Sequence, residues 1–218
     1  MECRRVDASI EEMLDPDAAA WAAVPAEAVK MSPTPLANQP SEYIKASRDE
    51  RGIGKVTSLA VQAAHNRTEV FFRLSWEDPE KSTRMTDMNV FPDGCGILMP
   101  LAAGDPPIDE MGSRDAPVNA WFWRADRDDR AQNVWATGLG TTAYSEKCYV
   151  RTRSLWRDGR WTVVFARPLV VRKQQREAIQ LALGATVRVG FAVWQGSNGE
   201  RGGLKSFSKE WREIVLEA

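Results

Sequence analysis

Two predicted β-hairpins limit the folds open to this chain more than any other feature. Residues 55–64 and 69–76 alternate in side-chain character on either side of a short polar turn. Residues 147–156 and 160–170 flank an Asp-Gly pair, the dipeptide that favours tight hairpin turns. Because a hairpin pairs its two strands in opposite directions, the chain is expected to build its sheets from antiparallel neighbours.

Further strands are predicted along the chain, with a single helix among them. The additional strand segments are 27–31, 95–101, 118–124, 134–139, 185–194 and 211–216. Residues 172–183 have helical character and end at Gly184, a favourable C-cap. Strands and helices do not alternate, which argues against a parallel α/β sheet. The prediction is an all-β protein, an antiparallel β-sandwich with one short helix and long loops.

Length and composition fit one domain over residues 1–218. A chain of 218 residues with 43% hydrophobic content can bury a sizeable core. Residues 1–54 contain a proline-rich break at 32–35 and little regular pattern, so they are predicted to form an irregular N-terminal wrap. We find neither an internal repeat nor a linker that would divide the chain.

Charge, histidine and cysteine usage exclude several classes of function. Basic and acidic residues number 29 and 30, which argues against a phosphate-neutralising, nucleic-acid-binding surface. His65 is the only histidine and is predicted to lie in a solvated turn, so sites that need two histidines are excluded. Cys3, Cys95 and Cys148 are far apart without a CxxC pair, which argues against a disulfide framework, a zinc site or an iron–sulfur site.

The N-terminus is expected to lack an export signal of its own. Arg4 and Arg5 are not followed by an apolar segment, as a secretory or twin-arginine signal requires. Elsewhere the sequence contains no apolar run approaching the roughly 18 residues of a membrane-spanning helix.

Two pairs of residues leave their roles open. Trp121 and Trp123 share one face of a predicted strand, where they could stack on sugar rings or simply pack in a core. Met111 lies in the long loop 102–117, and Lys205 follows a loop, 196–203, in which four of eight residues are glycine. Taken alone, each of these last two residues is ordinary, a gap-filling methionine and a surface charge.

Four sequence blocks change that interpretation when they are taken together. They are DGCG at 93–96, MG at 111–112, PVNAWFW at 117–123 and WQGSNGERGGLKS at 194–206. In this order they resemble the haem b-binding γ subunit of ethylbenzene dehydrogenase. Relatives of that subunit are the small subunits of dimethylsulfide dehydrogenase, of chlorate and selenate reductases and of steroid C25 dehydrogenase.

The resemblance implies a β-sandwich that holds one haem b between a methionine and a lysine. The matching residues are Met111, in its Met-Gly context, and Lys205, in its glycine-rich loop. Met99 and Met88 are competing methionines that lack this context. A lysine binds iron only as the neutral amine, so such a site must lower its pKa from about 10.4. The other expected cofactor contacts are Trp121, Trp123 and Phe91 as pocket walls, and Arg114 or Arg201 as a propionate partner.

The resemblance also implies partners and a place in the cell. The chain is expected to be a non-catalytic electron-transfer subunit beside a catalytic subunit, which carries molybdenum bis(molybdopterin guanine dinucleotide), and an iron–sulfur subunit. The complex would hydroxylate a hydrocarbon or a steroid side chain and pass electrons to an external acceptor such as a cytochrome c. It would reach the periplasm on the catalytic subunit's export signal.

Two alternatives stand beside this interpretation. One is a haem-free carbohydrate-binding β-sandwich that uses Trp121 and Trp123. The other is a hydrolase, which would have to rely on the single histidine, His65.

Overall fold

The computed structural model describes residues 1–39, 41–47, 52–86 and 89–218, and these residues form an all-β architecture of fourteen strands. The strands are β1 Glu2–Arg5, β2 Glu27–Lys30, β3 Ser32–Pro33, β4 Ser58–His65, β5 Glu69–Glu77, β6 Gly94–Pro100, β7 Val118–Arg124, β8 Gln132–Ala136, β9 Ala143–Tyr144, β10 Arg151–Arg157, β11 Arg160–Pro168, β12 Thr186–Trp194, β13 Ser206–Phe207 and β14 Arg212–Leu216. The short helices are α1 Ile10–Leu14 and α2 Glu42–Ser47, with 3-10 turns at Ala19–Ala23, Leu36–Asn38, Arg172–Gln174 and Gly196–Asn198.

The strands form two layers joined through β12. The order is β10-β11-β5-β4-β1-β14-β12-β6-β7-β8-β9. The first half of β12 pairs with β14 and its second half pairs with β6, so this strand passes from one layer to the other. Aromatic rings interlock between the layers: the ring centroid of Trp123 in β7 lies 6.5 Å from that of Trp76 in β5 and 5.0 Å from that of Trp161 in β11. The predicted sandwich is therefore confirmed, and its main core lies between the layers.

Both predicted hairpins are present. Strands β4 and β5 pair in antiparallel register, as do β10 and β11. At the second turn, Asp158 and Gly159 have φ values of 52° and 73°. A type I′ turn requires positive φ at both central residues, which explains the Asp-Gly pair.

The N-terminal segment is more regular than predicted, and the sandwich is not purely antiparallel. Strand β1 lies inside the sheet, parallel to both β4 and β14, and β2 pairs along β4. Only Cys3 among the four residues of β1 is buried. A strand this short shows little alternation, and its parallel partners come from distant parts of the chain, so local patterns could not reveal it.

The predicted helix at 172–183 is wrong: only Arg172–Gln174 forms a 3-10 turn there. A few N–H groups of this segment donate locally, such as that of Ala178 to the Gln174 carbonyl at 2.9 Å, but others donate to distant acceptors. The Ile179 N–H donates to Asn119 Oδ1 at 3.2 Å, and the Leu181 N–H donates to the Leu169 carbonyl at 2.9 Å. Tertiary contacts have overridden helix propensity. Within the described residues, the helices are too short or too polar to span a bilayer.

Candidate functional site

A cavity of about 570 Å³ lies on the layer that contains β6, β7 and the second half of β12, on the face that points away from the inter-layer core. Its volume is within the range of about 300–1,000 Å³ that is common for small-molecule and cofactor sites. The floor consists of small residues, namely Gly94, Gly96, Ala120, Gly190 and Ala192. A Cβ added to Gly96 would lie 3.3 Å from the Trp121 carbonyl oxygen and 3.7 Å from the Trp194 ring. The small residues therefore keep the floor flat and close to the backbone.

One wall of the cavity comes from the loop between β6 and β7, which carries Met111. The side chain of Ile108 lies directly over β12, where a Cβ on Gly190 would approach its Cδ1 to 2.7 Å. Met111 has a φ of 58°, and Gly112 follows with a φ of 85° and donates its N–H to the Pro107 carbonyl at 2.9 Å. Left-handed backbone is uncommon for a residue with a side chain and occurs preferentially at functional sites. The turn presents Met111 at the cavity.

The opposite wall comes from the loop after β12, which carries Lys205. This lysine is 9% exposed, and its Nζ lies 5.6 Å from the centroid of the Trp194 ring. Burial lowers the pKa of the amine from 10.5 to about 8. Within the described part of the chain, no carboxylate forms an ion pair with this amine. An amine without a counter-charge in an apolar cavity loses its proton more readily, and the neutral form is the one that can bind a metal.

Comparison with known proteins assigns the chain to a family. The model of the family described as Ethylbenzene dehydrogenase matches residues 18–147 and 132–206. The chain belongs to the ethylbenzene dehydrogenase family.

Curated proteins that are similar to this chain in sequence are named as subunits of several enzymes. A protein of Haloferax mediterranei, provisionally named respiratory nitrate reductase heme subunit ORF7, is 37% identical over 197 residues, which cover 90% of this chain and 66% of the relative. Chlorate reductase subunit gamma of Ideonella dechloratans is 35% identical over 75% of this chain and 66% of its own length. Dimethylsulfide dehydrogenase subunit gamma of Rhodovulum sulfidophilum is 32% identical over 90% and 73%. The chain thus spans slightly less than two thirds of the length of the first two relatives.

Solved structures show the same fold at low sequence identity. A carbohydrate-binding protein of Bacteroides uniformis, assigned provisionally, aligns over 100% of this chain and 98% of its own, with a TM-score of 0.57 and 10% identity. A family 9 carbohydrate binding module of Caldicellulosiruptor kristjanssonii, in complex with glucose, aligns over 100% and 95%, with a TM-score of 0.54 and 8% identity. These structural alignments support the β-sandwich fold, but at identities this low they indicate nothing about ligands.

Five of the residues singled out in the sequence border this cavity, and one of them is Trp121, which is described below. Met111, Lys205, Phe91 and Arg201 all line it, and the Arg201 guanidinium lies 4.3 Å from the centroid of the Phe91 ring. Arg114 lies on the exposed surface instead and is not part of the lining.

Of the two tryptophans expected to wall the pocket, Trp121 is among the lining residues and Trp123 is not. Trp121 and Trp123 are 0% and 1% exposed, and their rings pack in the inter-layer core. Trp121 borders the cavity, yet its indole packs edge-on against Phe72 of the facing layer, at 5.9 Å. The predicted alternation along β7 is present, but the large indoles occupy the core face and Phe122 occupies the cavity face. This arrangement also removes the proposed sugar platform, since neither indole offers an exposed ring face.

Sequence reasoning missed several cavity residues. These are Met85, Ile108, Phe122, Arg124, Tyr144 and Trp194. The period of two along β7 could have identified Phe122 and Arg124 once Trp121 had been assigned to the core. Met85 is 66% exposed at the cavity, whereas the rival Met99 is buried in the inter-layer core. The other rival, Met88, lies outside the described residues.

The remaining candidates lie away from this chemistry. His65 is the last residue of β4 and is buried, not solvated as predicted, because β1 covers it at the sheet centre. Its Nδ1 accepts the Arg67 N–H at 3.3 Å, and burial lowers the pKa of the ring. The three cysteines lie outside the cavity lining, and the described residues contain no cluster of three or more His, Cys, Asp or Glu that could hold a metal ion.

Proposed function

We propose that this chain is an electron-transfer subunit that binds one haem b in the cavity, where Met111 and Lys205 would hold the haem iron. The proposal is carried by one observation: two residues far apart in the sequence, each unremarkable alone, line opposite walls of a single apolar cavity. The name of the Haloferax relative, a heme subunit, supports the cofactor.

The residues present fit a haem. The glycine and alanine floor can lie against a flat macrocycle, and Phe91, Phe122 and Trp194 give the walls aromatic surface. Lys205 supplies an amine with a lowered pKa and with no carboxylate partner among the described residues, and Met111 supplies a soft thioether. A bound haem would supply a one-electron iron couple, and two protein ligands would leave no position for oxygen or substrate. The chain's role is then to bind, orient and desolvate the cofactor.

The proposal extends to the kind of haem and to the residues that would orient it. The given sequence contains no CxxCH motif, the attachment signature of c-type haem, and the resemblance to the γ subunits favours haem b, so we propose non-covalent haem b. Arg201 and Arg124 bring guanidinium groups to the cavity, where they could meet the propionates. Arg124 is already paired with Asp126, so we favour Arg201. Arg114 is withdrawn from this role because of its position.

The rest of the complex belongs to the same proposal. The relatives named as gamma subunits support a catalytic molybdenum subunit and an iron–sulfur subunit as partners. Electrons would pass from the iron–sulfur clusters to this haem and then to an external acceptor such as a cytochrome c, in the periplasm. For the reaction we retain hydroxylation of a hydrocarbon or steroid side chain, which the ethylbenzene dehydrogenase match supports. This chain would not itself be catalytic.

Haem reconstitution tests the core of the proposal. The purified chain is expected to take up one equivalent of hemin and to give the absorption and electron paramagnetic resonance signals of a six-coordinate, low-spin haem. Lys205→Ala and Met111→Ala should each remove those signals, while Met85→Leu, at the other cavity methionine, should keep them. A Lys205→Ala protein with an unchanged spectrum would show that the ligand assignment is wrong.

Isolation of the complex from its native cells tests the partners and the reaction. The chain should co-purify from the periplasmic fraction with a molybdenum-containing and an iron–sulfur subunit. The complex should reduce an artificial electron acceptor when ethylbenzene or a steroid is supplied. Activity only with dimethylsulfide, or only as a nitrate or chlorate reductase, would replace the proposed substrate class.

A further inference from the structure

The loop that carries Lys205 is rich in glycine. Residues 195–205 lead from the end of β12 to the cavity and include four glycines. Glycine backbone loses the most conformational freedom when it becomes ordered, so the position of the lysine depends on the hydrogen bonds that hold this loop, both within it and to other parts of the fold.

Two buried carboxyl groups hold the start of this loop. Asp93 Oδ1 accepts the Gly196 N–H at 2.8 Å, and Glu200 Oε2 accepts the Gln195 N–H at 2.9 Å. Among the described residues, no lysine or arginine contributes to the pKa shift of either carboxyl; burial raises the pKa and these hydrogen bonds oppose the rise. Because neither carboxyl has a cationic partner within the part of the chain that the structure describes, N–H donors supply the compensation that a buried charge needs.

The second oxygen of each carboxyl ties the loop to the rest of the sandwich. Glu200 Oε1 accepts the Gly54 N–H at 2.8 Å and the Asn198 side-chain amide at 3.0 Å. Asp93 Oδ2 accepts the Ser82 N–H at 2.7 Å and the Trp161 indole N–H at 2.9 Å. Each carboxyl therefore bridges the loop and a segment that belongs to another part of the fold.

The end of the loop is held at Lys205 itself. The Thr34 N–H and the Thr34 hydroxyl both donate to the Lys205 carbonyl, each at 3.0 Å. Thr34 is buried and directly follows β3, which pairs with β13 immediately after the lysine. The backbone of Lys205 is thus bound twice by one residue from the N-terminal segment.

We propose that Glu200, Asp93 and Thr34 are positioning residues for Lys205, which hold its amine at the cavity wall before a cofactor arrives. This inference rests on the proposed function and deepens it. Groups that orient a metal ligand without touching the metal commonly change metal affinity or activity by about 10- to 100-fold when they are removed. A lysine held in place in advance avoids the cost of ordering the loop on binding.

Thr34 offers a test with conservative variants. Thr34→Val keeps the size of the side chain and the backbone N–H but removes the hydroxyl donor, whereas Thr34→Ser retains it. In the haem-loaded protein, Thr34→Val should lose part of the low-spin signal to a species without the lysine ligand, and Thr34→Ser should restore the wild-type spectrum. Equal spectra for wild type and Thr34→Val would remove Thr34 from this role.

Glu200→Gln tests the start of the loop. Glutamine has one acceptor oxygen, so it cannot receive the Gln195 N–H together with the donors that now bind the second oxygen. Haem affinity should fall about 10- to 100-fold, with loss of the low-spin signal. Glu69→Gln is the matched control: Glu69 is a buried glutamate of β5 that contacts Arg151 at 3.4 Å, and its loss should leave affinity and spectrum unchanged.

Hydrogen exchange on the haem-free protein provides a readout that does not need the cofactor. In Glu200→Gln, the Gln195 amide should exchange about tenfold faster or more, while amides of the β4–β5 hairpin keep their rates. If the wild type binds haem and Glu200→Gln matches it in exchange rates, haem affinity and spectrum, the inference is overturned while the proposed function stands. A wild type that takes up no haem would overturn the proposed function and this inference with it.

Discussion

The two faces of β7 differ in residue type, in burial and in role. On the core face, Trp121 and Trp123 are fully enclosed and interlock with rings of the facing layer. On the cavity face, Ala120, Phe122 and Arg124 are half-buried and line a space that the polypeptide leaves open. One strand can therefore place residues that stabilise the fold on one face and residues that line a binding site on the other, because successive side chains point to opposite faces.

The largest expected effect is a difference in stability between substitutions on the two faces of β7. Trp123→Ala should lower the free energy of unfolding by about 3–5 kcal/mol, the usual cost of removing a large buried aromatic side chain. Phe122→Ala should cost clearly less, since Phe122 packs edge-on against Trp194 beside the open cavity, at 5.1 Å. Urea unfolding of the haem-free proteins measures the difference. Equal losses at the two positions would contradict the division of roles.

Haem titration of the same two variants completes that test. Phe122→Ala should weaken haem binding because it removes aromatic surface from the wall. Trp123→Ala, wherever it remains folded, should retain the affinity of the wild type. The opposite ranking would place the functional face of β7 on the tryptophan side.

A second expected effect concerns a pair of buried carboxyl groups. Asp78 is buried beside Asp93, and burial and the neighbouring carboxyl raise its pKa from 3.8 to about 7. A carboxyl whose pKa is higher in the folded protein binds its proton more tightly there. Its contribution to stability is therefore greatest below about pH 4 and is lost as the pH rises towards 7.

Asp78→Asn should remove that pH dependence, because the amide stays neutral at every pH. Relative to the wild type, the variant should gain in free energy of unfolding between about pH 4 and pH 7, by at most a few kcal/mol. The amide oxygen introduced by this substitution can still accept from the Gln195 side-chain amide, which donates to Asp78 Oδ1 at 3.2 Å in the wild type. Urea unfolding across this pH range measures the change, and a constant difference between the two proteins would contradict it.

Local patterns predicted the parts of the fold that depend on neighbours in sequence. The Asp158-Gly159 hairpin and the alternation along β7 depend on residues a few positions apart, and both are present. The central strand β1 and the unwound segment 172–183 are decided by distant partners, so no local pattern could show them.

The candidate site had a different basis in the sequence. Met111 and Lys205 were paired through resemblance to a family, because neither has a local pattern that indicates a ligand. The side of the sheet on which Trp121 and Trp123 lie could not be predicted, because alternation shows which residues share a face but not which face is the core. Size decides that question here, since the wide indoles fill the space between the layers and small residues are left for the cavity floor.

The smallest expected effect tests this division with one substitution made on each side. Ala63 of β4 is fully enclosed in the inter-layer core, whereas Ala192 of β12 lies on the cavity floor. Ala63→Leu should lower the free energy of unfolding by about 1–3 kcal/mol, because a packed core has no room for the added atoms. Ala192→Leu extends into open space, so it should leave the stability of the haem-free protein nearly unchanged and block haem uptake. If Ala192→Leu destabilised the haem-free chain as strongly as Ala63→Leu, the floor would be part of a packed core and not the wall of a binding site.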